Sequence, residues 1–233
     1  MSRGEHVLDD VALHALTGPQ VHLAVGSADG LAHRYRPAVG PFCGVERLDD
    51  RGWSALADLV GAGGVAVFLR AHVEPTPDGW AELVREPAVQ YVAADLAEPP
   101  VTDDEVLELG AGDSDDMQRL VAATEPGPFG PESHLTGRWF GVRREGRLVA
   151  MAGERMRPPG FGKVSGVCVD PSARGAGLGA VVTLAAAAAI AERGDTPVLH
   201  VRQGNEGAER LYRRCGFAVR RHVTVAVLRR HTA

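Results

Sequence analysis

The chain has 233 residues and 24.6 kDa, with 45% hydrophobic and 24% charged residues and a formal net charge of −5, an ordinary soluble composition with room for one large domain or two small ones. The longest apolar stretch, residues 179–191, is alanine-rich and falls short of the roughly 20 residues that span a bilayer, so no membrane role is expected. Cys43, Cys168 and Cys215 are too few and too scattered for a disulfide framework or a zinc site.

The start, MSRGEHVLDD, is polar and acidic without an apolar run, which argues against a secretory signal and makes the cytoplasm the expected location. Charge is uneven along the chain. Residues 1–100 carry 7 Arg against 14 Asp and Glu, residues 101–132 carry 1 against 9, and residues 133–233 carry 17 basic against 7 acidic. The last third is therefore the anion-attracting part. No dense basic patch with interleaved aromatics occurs, so nucleic acid is not an expected ligand. Of the basic residues only Lys163 is a lysine.

In chain order, ALHALTGPQVHLAVG suggests a helix or strand start, WSALADLVG a helix with apolar Trp53, Leu56, Leu59 and Val60, and GVAVFLRAHV a buried strand. The acidic, proline-containing stretch VAADLAEPPVTDD, residues 92–104, reads as a linker. Beyond it VLELG is a short strand, and DSDDMQRLVAATEPG a helix with Asp113 or Ser114 as its N-cap. WFGVRREGRLVAMAGERM is a hairpin turning at Arg144-Glu145-Gly146. KVSGVCVD is a strand, RGAGLGAVVTLAAAAAIAERG a helix closed by Gly194, and TPVLHVRQ a strand. NEGAERLYRRCG is a short helix closed by Gly216, and FAVRRHVTVAVLRR a final strand or hairpin. The order βαβββαβαβ from about residue 104 reads as an α/β sheet, mainly parallel, with helices on its faces.

Three glycines and an arginine precede the alanine-rich helix in VDPSARGAGLGAVV. A helix N-terminus presents unpaired N–H groups and partial positive charge, and Gly175, Gly177 and Gly179 remove the Cβ atoms that would keep an oxyanion away, while Arg174 adds a cation. The loop is suited to a phosphate or pyrophosphate. Gly175 to Ala180 also satisfies the dinucleotide pattern G-x-G-x-x-A, but only about 35 residues follow the helix, too few for the rest of a six-stranded dinucleotide fold.

Residues 174–179 equally fit R-x-x-G-x-G, and the later segment from Asn205 to Phe217 fits N-x-x-A-x-x-L-Y-x-x-x-G-F. Together they resemble the acyl-CoA loop and the following helix of the GNAT superfamily of N-acyltransferases, over roughly residues 104–230. The SGVCVDPSARGAGLG wording is similar to a branch related to glycine N-acyltransferases.

The resemblance implies a mixed, mostly antiparallel sheet with a splayed parallel strand pair flanked by helices, and a GNAT domain at 104–233. The preceding region, 1–95, is then an α/β half, a degenerate copy of the fold or a wall of the acceptor pocket. In such a domain the backbone of Val167, Cys168 and Val169 holds pantetheine like an added strand, and one N–H polarises the thioester carbonyl. Arg174, Gly175, Ala176, Gly177, Leu178, Gly179 and Ala180 hold the pyrophosphate of acetyl-CoA. Asn205 binds pantetheine and the Tyr212 hydroxyl protonates the departing thiolate. The acceptor is a primary amine, and a homodimer is an assembly met among relatives.

Each residue also has a plainer reading. Asn205 suits an N-cap and Tyr212 suits packing on the sheet, although the seven-residue spacing puts both on one side of their helix. Glu154 is the candidate base, ahead of Asp170, because an amine is mostly protonated at neutral pH; otherwise it is a partner for Arg155 or Arg157. Where many relatives of the branch carry a polar or acidic residue before SGVC, this chain has Lys163-Val164. Cys168 has no histidine at a meaningful spacing and reads as an inert buried thiol. His200 reads as a hydrogen-bonded strand residue. Arg210, Arg213 and Arg214 share a helix side that faces either the cofactor's 3′-phosphate or solvent. No metal is expected. The expected activity is direct acetyl transfer from acetyl-CoA; the alternatives are a silent acyl-CoA sensor and, less favoured, a dinucleotide-binding reductase.

Overall fold

The structure is a computed structural model that describes residues 6–232; residues 1–5 of the polar start, and Ala233, lie outside it. Its main element is an eight-stranded sheet built from β4 (Val65–Arg70), β5 (Trp80–Ala93), β6 (Val106–Leu109), β7 (Trp139–Arg144), β8 (Arg147–Met156), β9 (Phe161–Val169), β10 (Thr196–Arg202) and β11 (Phe217–Arg230). The spatial order is β4-β11-β5-β10-β9-β8-β7-β6. A small three-stranded antiparallel sheet, β1 (Ala24–Gly26), β2 (Ala32–Tyr35) and β3 (Cys43–Val45), precedes it.

Only β9 and β10 run parallel; every other pair in the large sheet is antiparallel. The mixed, mostly antiparallel architecture is therefore present, and the mainly parallel sheet suggested by element order alone is corrected. A doubly wound dinucleotide fold has no counterpart here, since its sheet is built from successive parallel strands.

The local reasons for the elements are visible in the chain. The hairpin between β7 and β8 turns on Glu145 and Gly146, both at positive φ (49° and 75°), the conformation that a two-residue turn of matching twist demands. α3 (Ser114–Thr124) starts after Asp113, whose carboxylate accepts from the Gly110 N–H at 2.9 Å and from Arg143 at 2.6 Å rather than capping the helix. α4 (Leu178–Glu192) is alanine-rich because it lies close on β8 and β9, with Leu178, Val182, Ala186, Ala187 and Ile190 all buried. Gly194 (φ 86°) ends it, and Gly216 (φ 90°) ends α5 (Glu206–Arg214) where a Cβ would meet the Asp95 carbonyl.

α4 and α5 cover one face of the sheet, over Val164, Leu199, Val201 and Phe217. The other face is covered by two apolar clusters. Near β4, β10 and β11 it is α1 (Val11–Leu16), Tyr35 and Phe42; near β7 and β8 it is α3 with Trp139, Met151 and Cys168. α2 (Asp50–Val60) packs Trp53 and Leu56 against Phe68 and Ala226 farther along.

Two expectations change. β5 carries no strand pattern of its own, since Glu82, Arg85, Glu86 and Pro87 interrupt any apolar periodicity, and the expected linker overlaps its last residues, Val92 and Ala93. The boundary expected near residue 95 falls inside one sheet: β5 lies between β10 and β11, and β4 pairs with β11. The region 1–95 thus lends two strands, β4 and β5, to the large sheet. A chain beginning at residue 96 would expose unpaired edges of β10 and β11. The expected outcome is loss of cooperative thermal unfolding, checked by circular dichroism against the full chain.

Candidate active site

β9 and β10 pair only at Phe161, Gly162 and Lys163 against Thr196, Pro197 and Val198. From there their facing edges separate, although β9 runs on to Val169 and β10 to Arg202. Their outer edges stay paired: β9 with β8 as far as Val169, and β10 with β5 as far as Arg202. A bulge helps part them. Between the pairs Met151–Cys168 and Gly153–Ser165 the register slips by one residue on β9, at Gly166, which has φ +64° and lies where a Cβ would strike the Trp139 ring. The parted edge leaves backbone groups of β9 and β10 without strand partners.

The glycine loop lies at the end of this opening. Gly175 and Gly177 have φ of 84° and 76°, and Cβ atoms built there would meet nothing within 4 Å. The N–H groups of residues 175–179 donate to no protein acceptor among the described residues, and Gly177 begins α4 without a side-chain cap. Arg174 is exposed and its Nε reaches the Val169 carbonyl at 3.4 Å, tying the loop to the end of β9. Val167 and Val169 pack on the α4–α5 side, whereas Cys168 points into the α3 cluster. Burial pushes the Cys168 thiol up to about 11, so it is inert as a nucleophile at neutral pH.

Tyr212 is buried on α5, its ring between Tyr91 and Phe217 at centroid distances of 6.4 Å each. Its hydroxyl makes no hydrogen bond to the protein among the described residues, and burial raises its pKa well above the ordinary phenol value, so it stays protonated. Asn205 caps α5, accepting from the Ala208 N–H at 3.1 Å. Arg210 and Arg213 pair along the helix with Glu206 and Glu209 at 3.0 and 3.1 Å.

Glu154, the candidate base, is buried and paired. It is 2% exposed, and its carboxylate is held by Arg157 at 2.8 Å and by Arg193 at 2.5 Å, so both oxygens are committed to fastening the C-terminal end of α4 to β8. Arg155 is not its partner: it points to the opposite face and stacks near Phe42, Phe129 and Trp139. Asp170 is likewise occupied, accepting from the Ser172 hydroxyl and N–H at 2.6 and 2.9 Å, contacts that hold its carboxyl below the ordinary carboxylate range. Among the described residues no group of three or more His, Cys, Asp or Glu side chains is placed to hold a metal ion. No helix there is long and apolar enough to cross a membrane.

A polar patch that sequence reasoning did not assemble lies on the face opposite α4, where β9 and β10 part. Lys163 is buried and its Nζ donates to Ser165 Oγ at 2.6 Å. Burial, reinforced by Arg155, pushes its amine down to about 7. His200 Nε2 lies 2.8 Å from Gln90 Nε2, and because Gln90 Oε1 accepts from Arg220 at 2.6 Å, the amide is the donor to the ring. The ring proton is then on Nδ1, which is buried without a partner among the described residues. Burial, with Lys163 and Arg220 nearby, holds His200 neutral. The available sequence signal was the solitary lysine.

The FR47-like protein family matches residues 139–226, which span the parted strands, the glycine loop and α5. A solved structure from Novosphingobium aromaticivorans, described as an acetyltransferase from the GNAT family, is 38% identical, covers 98% of this chain and 100% of its own, and superposes with a TM-score of 0.87. The chain belongs to the GNAT family of acetyltransferases. A GCN5-related N-acetyltransferase from Kribbella flavida, 20% identical over 94% of this chain and 93% of its own, shares the GNAT fold with a TM-score of 0.63. Among curated relatives, a mycothiol acetyltransferase of Thermomonospora curvata is 42% identical over 79 residues, and one of Mycobacteroides abscessus 47% identical over 62. These matches cover 34% and 26% of this chain and span only 27% and 21% of those relatives.

Two outcomes follow from the geometry of this GNAT site. Glu154→Gln leaves Arg157 and Arg193 facing a neutral amide; because the arginines are part-exposed, the expected loss is roughly 3 kcal/mol, at the lower end for a broken buried pair, with coenzyme A affinity unchanged. Denaturant melts and calorimetry check both. Lys163 has a folded pKa of about 7 against 10.5 for a free lysine, so between those values the unfolded chain binds the extra proton and stability rises with pH. Wild type should therefore gain melting temperature relative to Lys163→Met between pH 7 and 10, as read by calorimetry at each pH.

Proposed function

We propose that this chain is an acetyl-CoA-dependent N-acetyltransferase that moves the acetyl group to a primary amine by direct attack in a ternary complex. Acetyl-CoA is the co-substrate of the family. The observation that carries the reading is the parted pair β9 and β10 with the uncapped, glycine-lined start of α4 at its end. Pantetheine would lie along the free edge of β9 at Val167 to Val169, its amides pairing with backbone groups as an added strand does. Its pyrophosphate would meet the N–H groups of residues 175–179 and Arg174, in the positively charged third of the chain.

One backbone N–H of the β9 bulge would polarise the thioester carbonyl. The amine enters from the opposite face, where the N-terminal region supplies Tyr35, Phe42 and α1, and attacks the carbonyl carbon. As the tetrahedral adduct collapses, Tyr212 gives its phenol proton to the departing thiolate. A protonated phenol with no protein partner is suited to that step. Asn205, in reach as the cap of α5, would steady pantetheine through the side-chain amide N–H that the cap does not use. A cytoplasmic location is consistent with three free, buried thiols. The curated relatives are named mycothiol acetyltransferases, but a match over a third of this chain supports acetyl transfer and not the acceptor. The silent-sensor alternative draws on Glu154 being unavailable as a base.

Coenzyme A should raise the melting temperature, whereas NADPH should not. Gly177→Val, which puts a β-branched side chain at φ 76° and fills the approach, should weaken acetyl-CoA binding at least tenfold by calorimetry. Tyr212→Phe should lower kcat about 100-fold on a primary-amine panel followed by thiol release, with acetyl-CoA affinity retained. Binding without turnover by wild type on any amine would favour the sensor.

A further inference from the structure

Lys163 is the only lysine of a chain whose every other Lys or Arg position is arginine. It is also one of the few charged residues held inside the sheet, at 7% exposure. Arginine keeps its charge at any physiological pH, whereas a buried lysine can shed its proton, so the exception falls where the difference between the two residues matters. Lys163 is the last residue of β9 that pairs with β10, at the mouth of the parting, on the face away from α4.

The groups around it are set by each packed element. On β9, Ser165 Oγ is 2.6 Å from Nζ and lies two residues into the parted stretch. From β8, Arg155 approaches the same region, with its NH2 3.8 Å from where a Gly166 Cβ would be. From β10 comes the neutral His200, with Gln90 of β5 and Arg220 of β11 behind it. The nearby acids are engaged elsewhere: Asp9 with Arg220 and Arg221, Asp10 with Arg70, and Glu154 with Arg157 and Arg193 on the far face. Lys163 thus has a hydroxyl and cations beside it and, among the described residues, no carboxylate ion pair, an environment that disfavours its charged form.

We propose that Lys163, in its neutral amine form, is the base that takes the acceptor's proton, with the Ser165 hydroxyl bridging it to the open edge of β9. The inference rests on the acetyl-transfer reading above. With the amine neutral, the Ser165 hydroxyl donates to Nζ across the same 2.6 Å contact, and as the C–N bond forms at the thioester carbonyl the acceptor's proton passes to Ser165 Oγ while the Ser165 proton passes to Lys163 Nζ. The C–S bond then breaks with its electron pair on sulfur, which takes a proton from Tyr212. Lys163 ammonium releases its proton to solvent and Tyr212 phenolate regains one, so that the products are the N-acetyl amine and coenzyme A. This supplies the step for which Glu154 is unavailable.

A solitary lysine makes the test direct. Protein grown with 13C,15N-lysine should give one side-chain Cε–Nζ signal, and in the full-length apo protein it should titrate near pH 7. On the primary-amine panel, wild-type kcat/KM should rise with pH along a limb of the same midpoint. Lys163→Met and Lys163→Arg should each lose that limb and about 100-fold in kcat, with acetyl-CoA dissociation constants within about twofold of wild type. Ser165→Ala should lose about tenfold. A lysine midpoint above pH 9, a Lys163→Arg variant with wild-type kcat, or an acetyl adduct on Lys163 formed from acetyl-CoA alone would each overturn the proposal. If wild type binds acetyl-CoA yet turns over no amine, the transfer reading itself fails and takes this one with it; normal wild-type turnover with unaffected Lys163 variants defeats this inference alone.

Discussion

The structure depends on two neighbouring strands being kept apart. In a sheet, adjacent parallel strands close up to satisfy their N–H and C=O groups, and leaving those groups unmade is unfavourable. Here β9 and β10 pair for three residues and then separate, which is stable only because each is secured along its other edge. β8 secures β9 and β5 secures β10. The glycine bulge in β9 adds to the separation.

That constraint explains why the N-terminal region cannot be an appendage. β5 comes from it, and without β5 the outer edge of β10 has nothing to hold it. The same region covers the face of the sheet opposite α4 with α1, Tyr35 and Phe42. The parting of β9 and β10 therefore opens to two different environments. On one face lie the glycine loop, Arg174 and α5; on the other lies a patch bounded by apolar clusters and holding Lys163, Ser165 and His200. A cofactor on the first face and an acceptor on the second would meet only at the bulge.

The charges obey the same geometry. Glu154, on the α4 face, is saturated by two arginines and works as a clamp between helix and sheet. Lys163, one strand over and on the other face, has no such partner among the described residues and sits where desolvation favours the neutral amine. Two ionisable residues on adjoining strands thus meet opposite surroundings, one paired with two arginines and the other desolvated beside a hydroxyl, because alternation along a strand sends neighbouring positions to opposite faces.

The sequence by itself determined the local features. R-x-x-G-x-G before an alanine helix specifies a bare, uncapped N-terminus, Asn205 specifies a cap, Gly146, Gly194 and Gly216 specify turns, and all are where the chain indicated. Such features are local because each depends on the conformation of a few consecutive residues. β5 was illegible, since a strand interrupted by charges and proline is held by its neighbours and not by its own pattern. The fate of Glu154 was illegible for a related reason: Arg157 is near in sequence but Arg193 arrives from the far end of α4. The Lys163 patch gathers residues from five strands, and only the tertiary structure could decide that their shared interior lacks a carboxylate ion pair for the amine. Distance in sequence hides desolvation and charge pairing, which are properties of the folded surroundings and not of the residues themselves.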